Sequence, residues 1–249
     1  MTEYNFQQYE NVIVCGDIHG HLEVIYGNPF AENTLLIVAG DCGFGFCETN
    51  YYHYLYNSKI NRSLGKKGNA VLFIRGNHDD PAIFDGNTFN KKRAICIPDY
   101  SVVKTALHNI LCVGGAISID RSWRKEQMQF KVQPLYWEKE PPIFNLAKIT
   151  EITQSGLKLD SVITHTCPSF CPPYSKDGID NWLQLDQELA QDIENERQQM
   201  DDLWHELKTQ KHPIKQWWYG HFHRSAWLDY EGCYFRLLDI NEMDYLKKY

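Results

Sequence analysis

The sequence has few of the features that would place a chain in a membrane or direct it out of the cell. Its longest apolar runs, such as Leu35–Ala39, fall far short of the roughly 20 residues that a membrane-spanning helix needs. The stretch from Met1 to Asn11 has no basic start, no apolar centre and no small-residue cleavage site. We therefore expect neither a signal peptide nor a membrane partner.

The sequence also lacks the cysteine pattern of a disulfide framework or a zinc site. Eight cysteines are scattered along the chain, several of them inside apolar runs where a free thiol packs as a small hydrophobe. Cys167 and Cys171 have no second pair at the spacing of a zinc site. We interpret the cysteines as structural and predict a reducing, cytoplasmic location.

An excess of positive charge is missing as well. The chain carries 25 Lys and Arg against 32 Asp and Glu, a net charge of -7. A protein that wraps nucleic acid through a broad basic face is therefore disfavoured, although a local cationic pocket is not. With 249 residues, 43% of them hydrophobic, and no internal repeat, the chain suits a single domain over residues 1–249. The sequence leaves the oligomeric state open.

What the sequence does contain is a repeated design, in which a short apolar run ends in a loop of metal-ligand residues. The runs Val12–Cys15, Thr34–Ala39, Val71–Ile74, Ser161–Thr164 and Trp217–Tyr219 precede Asp17 and His19, Asp41, Asn77 to Asp80, His165, and His221 with His223. Such runs are typical of strands buried on both faces. Because parallel strands end at one edge of a sheet, we expect these loops to converge.

Seven oxygen and nitrogen ligands at converging loops fit two metal ions better than one. We assign Asp17, His19 and His223 to one ion, Asn77, His165 and His221 to the other, and Asp41 as the bridge. A bridging carboxylate offsets the repulsion between cations that are roughly 3.5 to 4 Å apart. Imidazole, carboxylate and amide ligands without thiolate favour manganese, iron or zinc.

Three further segments allow two interpretations each. Phe44 and Phe46 either wall a pocket or pack in the core. Residues 114–125, read as a loop, place two arginines beside Trp123, which suits either a phosphate clamp or a solvated loop with one buried indole. Residues 181–211 carry apolar residues at spacings of three and four, which predicts one amphipathic helix or a broken pair that covers the sheet.

The five polar blocks, taken in order, resemble the calcineurin-like metallophosphoesterases. The matching residues are Gly16-Asp17-Ile18-His19-Gly20, Gly40-Asp41, Gly76-Asn77-His78-Asp79, His165 and Gly220-His221-Phe222-His223. The resemblance implies an α/β fold, a four-layer α/β/β/α sandwich with two mixed β-sheets flanked by helices. It places a dinuclear metal site at one edge of the two sheets.

The resemblance also implies an activity, the hydrolysis of a phosphate mono- or diester of a small molecule or nucleotide. A hydroxide that bridges the two ions would attack phosphorus in line. His78 would protonate the leaving oxygen or stabilise its charge, and Asp79 would orient the His78 ring. Arg75 is a candidate contact to substrate phosphate, with a salt bridge beneath the site as its alternative role.

Departures from the family pattern bear on the substrate. Protein Ser/Thr phosphatases and symmetrical diadenosine tetraphosphatases carry an arginine shortly after the second block, where this chain has Gly43 to Phe46; Arg75, by contrast, matches their third block. The segment from Gly114 to Arg124 resembles an element of bacterial and phage metallophosphoesterases, which supports Arg121 and Arg124 as substrate-binding residues. A nuclease and a catalytically silent scaffold of the same fold are the alternative functions.

Overall fold

The fold was analysed in a computed structural model that describes residues 1–27, 30–130 and 133–249. The strands are β1 (Thr2–Phe6), β2 (Asn11–Cys15), β3 (Thr34–Ala39), β4 (Ala70–Ile74), β5 (Asn90–Lys91), β6 (Ala94–Cys96), β7 (Ser101–Thr105), β8 (Asn109–Val113), β9 (Ser161–Thr164), β10 (Gln216–Tyr219), β11 (Ala226–Tyr230), β12 (Cys233–Leu237) and β13 (Met243–Tyr245). The α-helices are α1 (Glu23–Gly27), α2 (Thr49–Leu55), α3 (Asn61–Lys66), α4 (Arg121–Met128), α5 (Leu146–Gln154), α6 (Ile179–Leu185) and α7 (Leu189–Thr209). A π-helical turn, Tyr56–Ile60, joins α2 to α3, and a 3₁₀ turn spans Pro81–Ile83.

The strands form two mixed sheets. The seven-stranded sheet has the order β1-β7-β8-β9-β10-β12-β11, and the six-stranded sheet has the order β13-β2-β3-β4-β6-β5. In the six-stranded sheet β2, β3, β4 and β6 are parallel. In the other sheet β8, β9, β10 and β12 are parallel. The parallel centres of both sheets therefore present their strand ends to one side.

Side-chain alternation along the strands divides the interior into three apolar layers. In β2, Val12 and Val14 face the layer between the sheets, whereas Ile13 and Cys15 face the helices of the N-terminal half. The layer between the sheets also contains Trp218 from β10. On the far side of the seven-stranded sheet, the third layer is packed under α5 and α7. This arrangement confirms the predicted α/β/β/α sandwich.

Two of the local expectations are resolved by the structure. The segment 181–211 is a broken pair, α6 followed by α7, and α7 buries Met200, Leu203 and Trp204 against the seven-stranded sheet. The segment 114–125 is a loop only as far as Asp120, because α4 begins at Arg121. Trp123 on that helix is 45% exposed, so the expected buried indole is not observed.

In the part of the chain that the structure describes, no helix combines the length and the apolar character that crossing a bilayer requires.

Candidate metal centre

The predicted ligands lie on five loops that leave the carboxyl ends of parallel strands. Asp17 and His19 follow β2, Asp41 follows β3 and Asn77 follows β4, all in the six-stranded sheet. His165 follows β9, and His221 and His223 follow β10, in the seven-stranded sheet. The centre is thus assembled at the common edge of the two sheets, and each sheet supplies part of it.

Two groups of side chains in this centre have the geometry of metal sites. Ligand atoms of Asp17, His19, Asp41 and His223 all lie within 4.8 Å of one another, and so do those of Asp41, His165 and His221. Asn77 joins the second group, because its Oδ1 lies 3.1 Å from His165 Nε2. Asp41 belongs to both groups, which is the position of a bridging ligand.

Contacts inside the first group are explained best by a cation. The Nε2 atoms of His19 and His223 lie 3.0 Å apart, and His223 Nε2 is 3.2 Å from Asp17 Oδ2. A neutral imidazole has a proton on only one of its two nitrogens. The two Nε2 atoms and the carboxylate oxygen therefore bring lone pairs and protons close together. An ion between these rings and the carboxylate would accept all the lone pairs at once.

Two buried carboxylate oxygens have no partner of their own. Asp17 is 1% exposed and Asp41 is fully buried, and neither Oδ2 atom accepts a hydrogen bond within the described chain. The opposite oxygens are used, since Asp17 Oδ1 accepts from His221 N–H and Asp41 Oδ1 from His78 N–H. A buried carboxylate oxygen without a partner is costly, and a divalent cation satisfies it. The donor set therefore fits a pair of divalent ions.

The tautomer of His165 also suits metal binding. Its Nδ1 lies 2.8 Å from the carbonyl oxygen of Ala39, which can only accept, so this nitrogen carries the proton. Nε2 then points toward Asn77 and Asp41 Oδ1, the latter 3.1 Å away, where a bound ion would replace its proton. Histidines that bind metals usually donate their other ring N–H to a carbonyl or carboxylate in this way, which fixes the orientation of the ring.

The electrostatics of the centre are dominated by burial and by the two carboxylates. Burial acts to raise the pKa of Asp41, but His78 and His165 hold that pKa well below its usual value. Burial acts to lower the pKa of His165, but Asp41 and Asp17 raise it to about 9. Burial and Lys176 together hold the pKa of His221 well below its usual value. The site is thus strongly anionic at Asp41 and favours cations.

The backbone of the ligand loops is strained. His19, Asp41, His221 and His223 all have positive φ, at 43°, 47°, 71° and 52°. Non-glycine residues adopt this region at a cost, and such strain clusters at functional sites. Glycine keeps the loops close together: a Cβ on Gly40, itself at φ +100°, would lie 2.1 Å from His165 Nδ1, and one on Gly76 would lie 2.1 Å from Asp41 Oδ1.

His78 and Asp79 lie at the centre but do not form the pair that the sequence predicts. Asp79 accepts backbone N–H groups from Cys42, Phe44 and Gly76 at 2.7 to 3.0 Å, so it joins the second and third ligand loops. Among the described residues, no hydrogen bond connects it to the His78 ring. Burial and the charge on Asp41 raise the pKa of Asp79 to about 7. The three backbone N–H donors act in the opposite direction and lower this pKa.

The His78 ring instead contacts an arginine. Arg124 Nη2 lies 3.0 Å from His78 Nε2, while Arg124 Nε donates to Asp120 and Nη1 to the carbonyl of Leu135. Burial lowers the pKa of His78 to about 4; Asp41 opposes this shift, and Arg124 adds to it. His78 is therefore neutral at pH 7.

The other two predicted substrate contacts, Arg75 and Arg121, are engaged with protein groups. All five N–H groups of Arg75 are directed to Asp99 or to the carbonyls of residues 139–141. Arg121 pairs with Asp186 and Asp192 at 2.6 to 3.2 Å. Arg75 thus forms a salt bridge, which the sequence predicts as its alternative to substrate binding. To bind substrate, Arg75 or Arg121 would have to break its contacts with these protein groups.

Two residues beside the centre were not singled out from the sequence as site residues. Lys176 places its Nζ 3.4 Å from both ring nitrogens of His221. Trp137 packs against Phe46 with ring centroids 5.2 Å apart, and Phe46 lies 6.3 Å from the His78 ring. Phe46 thus walls the site, whereas Phe44 is buried in the core. Neither Lys176 nor Trp137 belongs to a ligand-like motif, so the sequence carries no signal for them.

Comparison with known proteins supports the identification. None of the proteins with a curated description matches the chain. Residues 10–246, however, match the family described as calcineurin-like phosphoesterase, a span that includes all five ligand loops. On this match, which covers nearly the whole sequence, the chain belongs to the calcineurin-like phosphoesterase family.

Proposed function

We propose that this protein is a metal-dependent phosphoesterase that hydrolyses a phosphate mono- or diester of a small molecule or nucleotide. The observation that carries the proposal is the position of Asp41 in both groups of metal-ligand atoms. A carboxylate shared between two such groups suits a pair of ions spaced to grip one phosphoryl group. Asp17, His19 and His223 would hold one ion, and Asn77, His165 and His221 the other.

When bound, two divalent ions such as manganese, iron or zinc supply an activated water and neutralise charge on the phosphoryl oxygens. Asp17 and Asp41 contribute the negative charge that retains the ions, and their unpartnered Oδ2 atoms are the groups that direct them. The backbone N–H groups of His221 and His78 bind the opposite oxygens of these carboxylates and so fix their orientation. The strained loops hold this arrangement in place before substrate binds.

We further propose that His78 stabilises the leaving oxygen as a neutral hydrogen-bond donor. The low pKa of His78 supports this role over transfer of a full proton, because the ring is already neutral near pH 7. Arg124, whose Nη2 faces His78 and no carboxylate, supports the role by adding positive charge where the leaving oxygen becomes negative. Asp79 would act indirectly, by joining the two loops that carry Asp41 and Asn77.

The test is hydrolysis by purified protein of p-nitrophenyl phosphate and of bis(p-nitrophenyl) phosphate, with manganese, iron or zinc added in turn. We expect turnover of at least one ester with at least one metal, abolished by a chelator and restored when the metal is returned. Absence of turnover of both esters with every metal would overturn the proposal. It would favour the silent scaffold instead.

The nuclease alternative is addressed with the same preparation. Single- and double-stranded DNA and RNA are incubated with the metal that supports ester hydrolysis, and we expect no cleavage because the chain is acidic overall. Robust cleavage would replace the small substrate by nucleic acid. The cytoplasmic location stays a prediction from the free cysteines.

A further inference from the structure

A cavity opens beside the His221 side of the metal centre, between α6, α7 and the loop that precedes α4. Its volume is about 270 Å³. The lining is mainly apolar and includes Ile117, Ile119, Ile179, Ile193 and Phe222, together with the His221 ring. Because His221 belongs to the metal centre, a molecule held by the ions has direct access to this apolar space.

Lys176 also lines this cavity, and its ammonium group forms no direct ion pair with the described residues. Its Nζ faces the His221 ring at 3.4 Å from both nitrogens, and no carboxylate of the described chain forms an ion pair with it. The buried carboxylate of Glu196 lies in the same wall, but its oxygens accept from Ile117 N–H and from the Thr166 hydroxyl. Glu196 is therefore hydrogen-bonded elsewhere, and its charge, like that of Asp41 and Asp17, acts on Lys176 only from a longer distance.

An ammonium group in this position, with no carboxylate in direct contact, can bind an anion from outside the chain. Next to a pair of divalent ions, a lysine without a partner is repelled, unless a negative group lies between it and the ions. A phosphoryl group held by the ions is such an anion. Its oxygens would form charge-assisted hydrogen bonds with Lys176 Nζ.

We propose that the cavity is the subsite for the organic part of the substrate and that Lys176 binds a phosphoryl oxygen at its opening. The substrates of this site are then phosphate esters of small aromatic or branched apolar alcohols. This inference rests on the proposed phosphoesterase function and names the substrate class for it.

The size and the lining of the cavity limit what it accepts. Pockets that enclose drug-sized ligands have volumes of roughly 300 to 1,000 Å³, so about 270 Å³ suits a single ring or a short branched chain. Ser169, Ser175, Glu194 and Arg197 also line the cavity, but most of its exposed wall is apolar, so a polyhydroxylated alcohol would give up water there for few hydrogen bonds. A polymer such as a nucleic acid strand does not fit in this space.

The first experiment compares benzyl phosphate with glycerol 3-phosphate, since both have alkoxide leaving groups and phosphate release is measured for each. We expect the metal-loaded protein to favour benzyl phosphate in kcat/KM by about tenfold or more. Ile193→Trp, which fills the cavity from α7, should lower kcat/KM for benzyl phosphate by about tenfold more than it lowers kcat/KM for glycerol 3-phosphate. Gln191→Trp places the same side chain at an exposed position of α7 and should change neither value.

Ile179→Trp provides a second filling variant on α6, in case Ile193→Trp does not fold. The same selective loss is expected from it. Equal rates for the two esters in the wild type, or filling variants that fold and lose nothing selectively, would overturn the cavity subsite. Because the esters are still hydrolysed in that result, the proposed phosphoesterase function would stand. If neither ester is hydrolysed with any metal, the function itself fails.

The second experiment tests Lys176 by equilibrium binding. Benzylphosphonate, which is not hydrolysed, is titrated into the metal-loaded protein by calorimetry. Lys176→Ala should weaken its binding by about 10- to 100-fold, and Lys176→Arg should recover part of the loss. Lys66→Ala, an exposed lysine at the end of α3, serves as the matched control and should bind as the wild type does.

Metal content is measured in the same samples. We expect Lys176→Ala to retain both ions, because Lys176 contacts the substrate and lies next to His221 without being a metal ligand itself. Loss of metal in Lys176→Ala, or unchanged phosphonate affinity with metal retained, would show that this lysine is not a phosphoryl contact.

Discussion

The two sheets contribute different chemistry to the centre that they share. Loops of the six-stranded sheet supply both carboxylates, Asp17 and Asp41, together with the amide of Asn77 and the imidazole of His19. The segments that follow strands of the seven-stranded sheet supply three imidazoles, and also Arg124 and Lys176, both close to the centre. The negative charge that would retain the ions thus comes from one sheet, and the positive charge that suits a phosphoryl group comes from the other.

The two halves are also held differently. On the six-stranded side, Asp79 joins two ligand loops through three backbone N–H groups. Between the halves, hydrogen bonds include that of His165 Nδ1 to the Ala39 carbonyl, that of His221 N–H to Asp17 and that of the Asn77 amide to Ser118. Metal ions shared by both halves would add further connections between them. The ligand loops of the six-stranded sheet are therefore joined by their own hydrogen bonds, and ions bound by both halves would strengthen the junction.

The strongest test of this comparison removes the residue common to both groups of ligands. Asp41→Ala should lower kcat/KM for p-nitrophenyl phosphate by about 10⁴-fold and release both ions, since several kcal/mol of charge stabilisation is lost. His223→Ala, on the other sheet, should release only one ion. Activity and metal content are measured together, with the exposed Asp229→Ala on β11 as control. Two ions retained in Asp41→Ala would show that Asp41 is not a bridge.

The next largest effect concerns the hydrogen bonds by which Asp79 joins the ligand loops of the six-stranded sheet. Asp79→Ala leaves three backbone N–H groups without their acceptor and should lower the free energy of unfolding by about 3 kcal/mol. Asp79→Asn keeps one acceptor oxygen and should lose less. Urea denaturation of both variants in chelator gives the values. If Asp79→Ala unfolds like the wild type while activity falls, Asp79 acts on His78 as the sequence predicts, and not between the loops.

A pH-dependent prediction follows from His78. Its pKa in the folded chain, about 4, lies below the ordinary value of 6.5, so the folded protein resists protonation there. The stability linked to His78 is complete above pH 6.5 and is lost as the pH falls toward 4, with about 2 kcal/mol already lost at pH 5. The metal-free His78→Gln variant should lack this loss.

The measurement is urea denaturation at pH 7 and pH 5 in chelator, for the wild type and the variant. His205→Gln, which changes an exposed histidine on α7, should retain the acid sensitivity of the wild type. Equal acid sensitivity of His78→Gln and the wild type would show that His78 titrates normally in the folded protein.

The smallest expected effect distinguishes Arg124 from Arg75. Arg124→Ala should lower kcat/KM by about tenfold, because one charge-assisted contact near the leaving oxygen is lost. Arg75→Ala should mainly lower the free energy of unfolding, since its five N–H groups are bound to protein acceptors. Kinetics and urea denaturation are measured for both, with the exposed Arg62→Ala as control. The reverse pattern would exchange the two roles.

Much of the architecture was predictable because it depends on local patterns. Short apolar runs that end in Gly-Asp or Gly-Asn-His indicate both the buried strands and the loops at their ends, and the order of the blocks identifies the family. The two-sheet sandwich follows from that resemblance and is confirmed by the topology. The start of α4 at Arg121 was missed, since Asp120 and the glycines before it favour a loop over the whole segment.

The sequence by itself determined the strands, their polar ends and the residue types able to hold metal, because each of these depends on neighbours in the chain. Only the tertiary structure decided which charges meet. Asp79 accepts from Cys42 and Phe44, more than thirty residues away, and Lys176 reaches His221 across the helical segment. Hydrogen bonds and ion pairs act over a few ångströms, so their partners are set by how the two sheets pack, and no local pattern records them.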